Sequence, residues 1–431
     1  MPDQPPHLLL IAGVGGLSPV DALAAARRAT PRVSLVFVAA WSTPDATRQA
    51  WELATGGAEF LVADDLDGVV DAAVALHDRI PLDGVVTYSE LLLRPQARIA
   101  ARLGLPGNSP EAVAVAQSKA RQRAVFAAHG VPSPRSAVIR GECDLDAAVA
   151  SVGLPAVFKP SLGAGSQGVH LVCGAAELTA SFHAALGADT PFIQEDGAFL
   201  LEEPMPLEGA APSPYADYVS VESLLFQGEA EHLAVSDRLR LRHGYIEEGL
   251  VLPSRLDEET SRQVIDCADR AIKAIGLTHG AVHTEVALIP GGPRVIEVNA
   301  RAGGPLPNLL REAAGYDFAR EIARTALGAR PAGRPRISAV AWFRFVPIPA
   351  GAWRVVSQRT VEEARARFPQ LVRLGLRFRP GAEARRDTTQ HLAAFTVVGA
   401  STDEARRTAE AVERYLDIRL APLDEPRGAG R

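Results

Sequence analysis

A β-strand with one apolar face ordinarily leaves scattered polar residues on the other. RVIEVNARAGG (Arg294 to Gly304) instead alternates Ile296, Val298 and Ala300 with Glu297, Asn299 and Arg301. Period two gathers the second set on a single face. The preceding GAVHTEVALIPGG alternates in the same way and ends in a glycine turn. The two segments therefore read as an antiparallel hairpin centred on Gly291. Reflection about that residue pairs Glu285 with Glu297 and His283 with Asn299. Directly opposed residues have Cβ atoms about 5 Å apart, a separation at which like charges destabilise a sheet. The apolar flanks of both glutamates imply burial, and a buried carboxylate needs a partner. A divalent cation, Mg²⁺ or Mn²⁺, answers both demands, because it takes hard oxygen ligands and shares its shell with phosphates. Asn299 would add a third oxygen, and Arg301 could stabilise charge on a transferring phosphoryl group. His283 reads as a packing or hydrogen-bonding residue. The hairpin thus demands an antiparallel sheet with one face in the core and the other in a site.

A second segment carries complementary chemistry. VFKPSLGAGSQGVHLV (Val157 to Val172) is a strand, a loop with Gly163, Gly165 and Gly168 plus Ser161 and Ser166, and a returning strand. Such a loop is rich in backbone N–H donors and can close over phosphates. It lacks the Lys-Ser/Thr ending and the following helix of a P-loop. Lys159 stands just before it. Only three lysines, Lys119, Lys159 and Lys273, occur among 45 basic residues. Lys119 and Lys159 read as compact charges for phosphate, and Lys273 as a solvated residue of the helix Glu258 to Ile275. LLEEPM (Leu200 to Met205) is a strand end able to offer backbone groups to an adenine edge, with Met205 beneath the ring.

Around these segments the chain divides into four parts. Strands alternating with helices over residues 1–112 predict a doubly wound parallel sheet. Residues 113–200 read as a small α+β lid, 201–330 as an antiparallel catalytic unit, and 331–431 as an α+β extension. Within them, a helix capped by Ser109 is expected to carry Lys119 and run to Gly130, and another to span Leu309 to Ala326. The turn Gly13 to Gly16 reads as structural. A net charge of −6 argues against a nucleic-acid partner. No apolar run suits a membrane span, and MPDQPPHLLLIAGVGG lacks the pattern of a secretory signal. Cys143, Cys173 and Cys267 are scattered, which fits a reducing cytoplasm.

Lys119, Lys159 before its glycine loop, LLEE, HTEVAL and IEVNARAGG, in that order, resemble the ATP-grasp superfamily. The set looks most like the carboxylate–amine ligases of the L-amino-acid ligase (dipeptide synthase) type. The resemblance covers roughly residues 5–431 and is strongest from Lys119 to Gly304. It implies an ATP-grasp fold, with ATP between two antiparallel sheets. Lys119, Lys159 and the loop Ser161, Gly163, Gly165, Ser166 and Gly168 would hold the phosphates. Glu202, Glu203 and Met205 would read adenine, and Glu222 would lie near the ribose. Glu285, Glu297 and Asn299 would hold the metal, and Arg301 would stabilise an acyl phosphate and the tetrahedral intermediate. Gly303 and Gly304 would meet the substrate carboxylate, with His243 and Glu248 contacting an amino group or phosphate. The sequence departs from the pattern in a longer proline-rich stretch before Tyr218 and in Arg238, where many relatives have lysine.

The activity expected is ATP-dependent amide or peptide bond formation between small carboxylate and amine substrates, amino acids or molecules like them. A biotin-carboxylase-like or purine-pathway ligase is a second expectation on the same scaffold, and a non-catalytic nucleotide-binding protein a third. A homodimer is expected by analogy alone.

Overall fold

The computed structural model describes residues 4–13, 16–38, 59–163, 165, 167–187, 197–207, 209, 213–241, 246–386 and 390–423. Four parallel strands, β1 (His7–Ala12), β2 (Arg32–Val38), β3 (Phe60–Ala63) and β4 (Gly84–Val86), form an N-terminal sheet in the order β3-β2-β1-β4. All six residues of β1 are buried, as a strand covered on both faces requires. The expected doubly wound parallel domain is therefore observed.

The lid is a four-stranded antiparallel sheet, β5 (Ser136–Ile139), β6 (Ala156–Pro160), β7 (His170–Val172) and β8 (Phe199–Glu202), ordered β5-β8-β6-β7. Two helices precede it, Pro110–Gln117 and Lys119–Ala128, in place of the single helix expected. Ser118 takes an extended conformation (φ −110°, ψ 111°), and its hydroxyl accepts the Arg121 N–H as an N-cap. Lys119 consequently opens a helix. Both helices pack into the core of the catalytic sheet through Ala112, Val113, Ala116 and Phe126, and the first strand of the lid sheet begins at Ser136.

The largest sheet has eight antiparallel strands. These are β9 (Tyr215–Phe226), β10 (Glu229–Leu239), β11 (Gly249–Leu252), β12 (Gly280–Ile289), β13 (Gly292–Asn299), β14 (Val340–Pro347), β16 (Leu371–Leu376) and β18 (His391–Gly399). Their order is β13-β12-β9-β10-β11-β14-β18-β16. Its last three strands come from the region expected to be a separate extension, so the 331–431 segment continues the catalytic sheet. The remaining strands, β15 (Ala352–Ser357), β17 (Glu383–Arg385) and β19 (Arg419–Pro422), form a small sheet of their own.

Helix Glu258–Ile275 covers the back of the catalytic sheet. Asp257 caps it by accepting the Thr260 N–H, and Gly276 ends it at φ 81°. Val264, Cys267, Ala268, Ala271, Ile272 and Ile275 recur at helical spacing and pack on Val219, Val282, Val295 and Val298. Each fully buried Val or Ile there contributes about 1.5–3 kcal/mol. The helix expected from Leu309 to Ala326 is two, Leu306–Ala314 and Phe318–Ala326, because Gly315 adopts φ 64° between them.

Candidate active site

With its back face sealed, the catalytic sheet opens its front face into a cleft of about 620 Å³ beneath the lid. Glu297 and Asn299 from β13, His283 and Glu285 from β12, Tyr218 from β9 and Arg238 from β10 line the floor. Leu250, Phe345 and His391 continue the row on β11, β14 and β18. Val157, Lys159, Gly163, Gly165, Glu203 and Met205 face them from the lid side.

The hairpin register is the expected one at its functional end, with His283 opposite Asn299 and Glu285 opposite Glu297. It is reached differently. The turn holds only Pro290 and Gly291, since Ile289 pairs with Gly292, and Val286 pairs with Val295. Ile296 is thus an extra residue, a β-bulge that restores the glutamate pairing. The bulge also turns Ile296, expected on the core face, toward the cleft beside Glu297. Cross-strand neighbours on β9 lie buried beneath the floor, with Ser220 opposite Glu285 and Glu222 opposite His283.

Each of the two opposed carboxylates has its own cation. Lys119 Nζ lies 3.1 Å from Glu297 and donates to Gly163 O at 3.0 Å, joining floor to glycine loop. Burial opposes the Glu297 charge, but Lys119, the Asn299 amide at 3.0 Å and Lys159 hold its carboxyl far below the usual range. Arg238 contacts Glu285 directly and Glu247 at 2.7 Å, beneath the Tyr218 ring at 5.4 Å. Burial likewise opposes the Glu285 charge, and Arg238 with His283 lowers its pKa nevertheless.

Lys159 is 7% exposed, and its Nζ lies 2.6 Å from Glu202. Arg123 reaches the same carboxylate at 2.8 Å and donates to Ile296 O at 2.6 Å, clamping the lid strand to the hairpin bulge. Burial, only partly offset by Glu202, and the Arg123 and Lys119 charges lower the Lys159 pKa. Glu203 accepts from Arg135 at 2.8 Å and from Arg294 at 2.7 Å, so its side chain joins hinge to floor while it lines the cleft with Met205.

Some expected ligand contacts are replaced by structural ones. Ser161 is fully buried: its hydroxyl shares a hydrogen bond with Ser118 at 2.9 Å, and its carbonyl accepts the Lys119 N–H at 2.9 Å. It seats the glycine loop on the Lys119 helix rather than facing phosphate. Gly168 closes the loop at φ 70°, where a Cβ would meet Pro160 at 3.0 Å, and stands outside the cleft lining. Glu222, expected near a ribose, is fully buried beneath the floor. Its carboxylate contacts His283 Nδ1 and accepts the Gly303 N–H at 3.1 Å. Burial disfavours a charged His283, yet Glu222 and then Glu285 outweigh it and push its pKa up to about 9. Gly303 therefore backs onto Glu222, and Gly304 borders the cleft. Glu248 points away to Arg344 at 2.7 Å, whereas its neighbour Glu247 lines the cleft. Ser166 and His243 lie outside the described residues.

Arg301 borders the cleft, and its Nε lies 3.0 Å from Glu90 on the turn after β4. Gly16, from the turn after β1, borders the same space. Arg123 and Glu90 escape sequence reasoning because their partners are distant in the chain, and Glu247 because its partner lies across a loop. Arg238 was signalled only by standing where the resembled family has lysine.

The carboxylates of Glu285 and Glu297 and the Asn299 carboxamide form an all-oxygen donor set of the kind Mg²⁺ takes. Among the described residues no cluster of three or more His, Cys, Asp or Glu side chains forms a metal site.

Residues 152–307 match the ATP-grasp domain family and residues 25–107 the ATP-grasp N-terminal domain family. Alanine–anticapsin ligase of Bacillus subtilis (strain 168) is 30% identical over 267 residues, 58% of this chain and 55% of that protein. Carnosine synthase 1 of Homo sapiens is 33% identical over 276 residues, 60% of this chain and 32% of that protein. The chain spans about half the length of the first of these relatives and about a third of the second. The solved structure of an L-amino acid ligase from Bacillus licheniformis superposes with a TM-score of 0.77, covering 98% of this chain and 100% of that one. At 19% identity that likeness is one of fold.

Proposed function

From the matches of residues 25–107 and 152–307 to the ATP-grasp families, we propose that this chain is an ATP-grasp enzyme, an ATP-dependent carboxylate–amine ligase joining amino acids or amino-acid-like molecules. The observation that carries the reading is the pairing of Glu285 with Glu297 across one ladder, each ionised beside its own cation, under a lid that brings Lys159. A purely structural site gains nothing from two like charges opposed across a strand pair.

In this reading a substrate carboxylate oxygen attacks the γ-phosphorus of ATP, and the bond to ADP breaks. An amine nitrogen then attacks the acyl carbon, the carbon–oxygen bond breaks, and phosphate leaves. Lys119, Lys159 and the backbone of Gly163 and Gly165 bind the phosphates, and Met205 with Glu203 borders the adenine. Glu285, Glu297 and Asn299 would hold Mg²⁺, which neutralises phosphate charge when bound. Arg301 stabilises negative charge at the reacting oxygens. The lid excludes water, which would hydrolyse the activated acyl group. Arg238 holds Glu285 and Glu247 in place at the substrate side.

Among the described residues no helix is long and apolar enough to cross a membrane. Three unpaired cysteines, two of them exposed, support a cytoplasmic setting. The deciding assay follows ADP, phosphate and product mass for pairs of amino acids with ATP and Mg²⁺. Product masses equal to two amino acids less one water are expected. Turnover that requires bicarbonate and biotin, or no turnover with any pair, would overturn the proposal.

A further inference from the structure

Two aromatic rings close the end of the cleft opposite the hairpin. Phe345 and His391 stack with centroids 3.8 Å apart and planes at 23°, and Phe343 meets Phe345 edge-on at 4.6 Å. Both stacked rings are part-exposed, and both line the cleft with Leu241 and Leu250. The arrangement is built by an irregularity. In the β14–β18 ladder Val346 pairs with Ala393, but Pro347 pairs with His391, so Leu392 is an extra residue. A regular ladder would set Leu392 opposite Pro347 and turn His391 to the other face. The bulge re-aims the imidazole onto the face of Phe345. Leu392 itself is buried in the small core beneath.

We propose that the Phe345–His391 stack is a side-chain subsite that makes the cleft select an amino acid with an aromatic or large apolar side chain. The proposal rests on the ligase reading of the site. Among the described residues, the charged groups on the floor between hairpin and rings, Arg238 and Glu247, suit the carboxylate and ammonium of a substrate. Phe345 offers a flat apolar face to stack on, with the His391 ring held against it. Phe345 is locked to this position, since its N–H donates to Glu248 O at 2.8 Å, directly beyond Glu247. Arg238 on β10 lies level with Phe343, two strand steps across, and Phe345 stands two residues further along β14, about 12 Å from Arg238 in all. A substrate held by its charged groups at Arg238 reaches the rings only through a long side chain. Alanine or glycine would leave them wet.

The test uses the full chain with ATP and Mg²⁺ and compares amino-acid pairs in which one partner is phenylalanine, leucine, alanine or glycine. Pairs with phenylalanine or leucine are expected to exceed the matching alanine and glycine pairs in kcat/KM by about tenfold or more. Phe345→Ala and His391→Ala should each shrink that ratio, with KM for ATP unchanged. Phe345→Leu, which keeps apolar volume without the ring, should lose the phenylalanine preference and keep that for leucine. Thermal unfolding checks that each variant is folded, and calorimetric binding of phenylalanine against alanine gives a readout independent of turnover. A ratio near one in the unaltered protein, or a ratio indifferent to the substitutions, overturns the subsite alone. A raised KM for ATP in Phe345→Ala would hand the rings to the nucleotide and also overturn it. Absence of phosphate release with every pair would remove the ligase reading, and the subsite with it.

Discussion

Arg301 Nε lies 3.0 Å from Glu90 Oε2, which ties the end of the catalytic hairpin to the N-terminal domain. Glu90 is itself held, because its carbonyl accepts the Gln117 amide at 2.6 Å. The guanidinium also donates to Ala302 O at 3.1 Å, so its plane is defined from two sides before any ligand binds.

If Arg301 acts on charge that develops during the reaction, its loss should fall on kcat. Arg301→Ala is expected to lower kcat by about 10²–10³ while KM for ATP holds, the scale of removing one preorganised donor. Glu90→Gln should cost less, about tenfold, with Glu90→Asp recovering part of it. The double variant should be no worse than Arg301→Ala, since Glu90 acts through Arg301. Steady-state kinetics decide, and an unimpaired Glu90→Gln would show that Arg301 needs no anchor.

Glu202 neutralises two buried cations at once. Glu202→Gln leaves Lys159 and Arg123 without their counter-charge, a loss of about 3–5 kcal/mol for a broken buried pair. Burial works against its charge, but Arg123 and Lys159 hold the carboxyl below the usual range. Its folded pKa is thus below the unfolded value of about 4.3. The stabilisation is complete above that pH and is lost as pH falls below it and through the lower folded value. Thermal midpoints of parent and variant should differ most at neutral pH and converge in acid, below the folded value. Equal midpoints at pH 7 would contradict the assignment.

Gly303 has no room for a side chain. A Cβ there would lie 2.5 Å from His283 Nδ1 and 2.8 Å from Glu222 Oε1. Gly303→Ala must displace one of these buried partners, and His283 also touches Glu285 at 3.4 Å. Turnover is expected to fall by about 10²-fold, because small misplacements at a reacting centre are costly. Gly304→Ala, whose Cβ would meet nothing within 4 Å, is the contrast. Equal behaviour of the two variants would mean that the Glu222–His283 support is not coupled to the reaction.

Divalent cation dependence should be absolute, with activity abolished by chelation and restored by Mg²⁺ or Mn²⁺. Glu285→Gln removes one of two ionised donors, and the Mg²⁺ concentration at half-maximal rate should rise by about tenfold or more. Turnover in the presence of a chelator, or an unchanged Mg²⁺ requirement in the variant, would argue against the hairpin as the metal platform.

The sequence by itself determined what is local. Alternation at period two set the polar face of RVIEVNARAGG and its pairing with HTEVAL, and the Pro290–Gly291 turn lies where the hairpin must reverse. Helix Glu258–Ile275 was equally legible, since its apolar stripe and its Asp257 and Gly276 caps lie in one continuous stretch. Single-residue changes escaped the same logic. Ser118 splits a helix and Ile296 inserts a bulge, because their neighbours in space, Ser161 and Arg123, outweigh local propensity. Everything requiring two distant segments to meet was decided by the tertiary structure alone. It buried Glu222 under Gly303, gave Glu202 to Lys159 and Arg123, set Glu90 against Arg301, and made the 331–431 segment part of the catalytic sheet. A carboxylate looks the same in sequence whether it meets solvent, metal or a buried cation. Which of these it meets depends on burial and on the charge brought to it, and both are set only when the sheets close on one another.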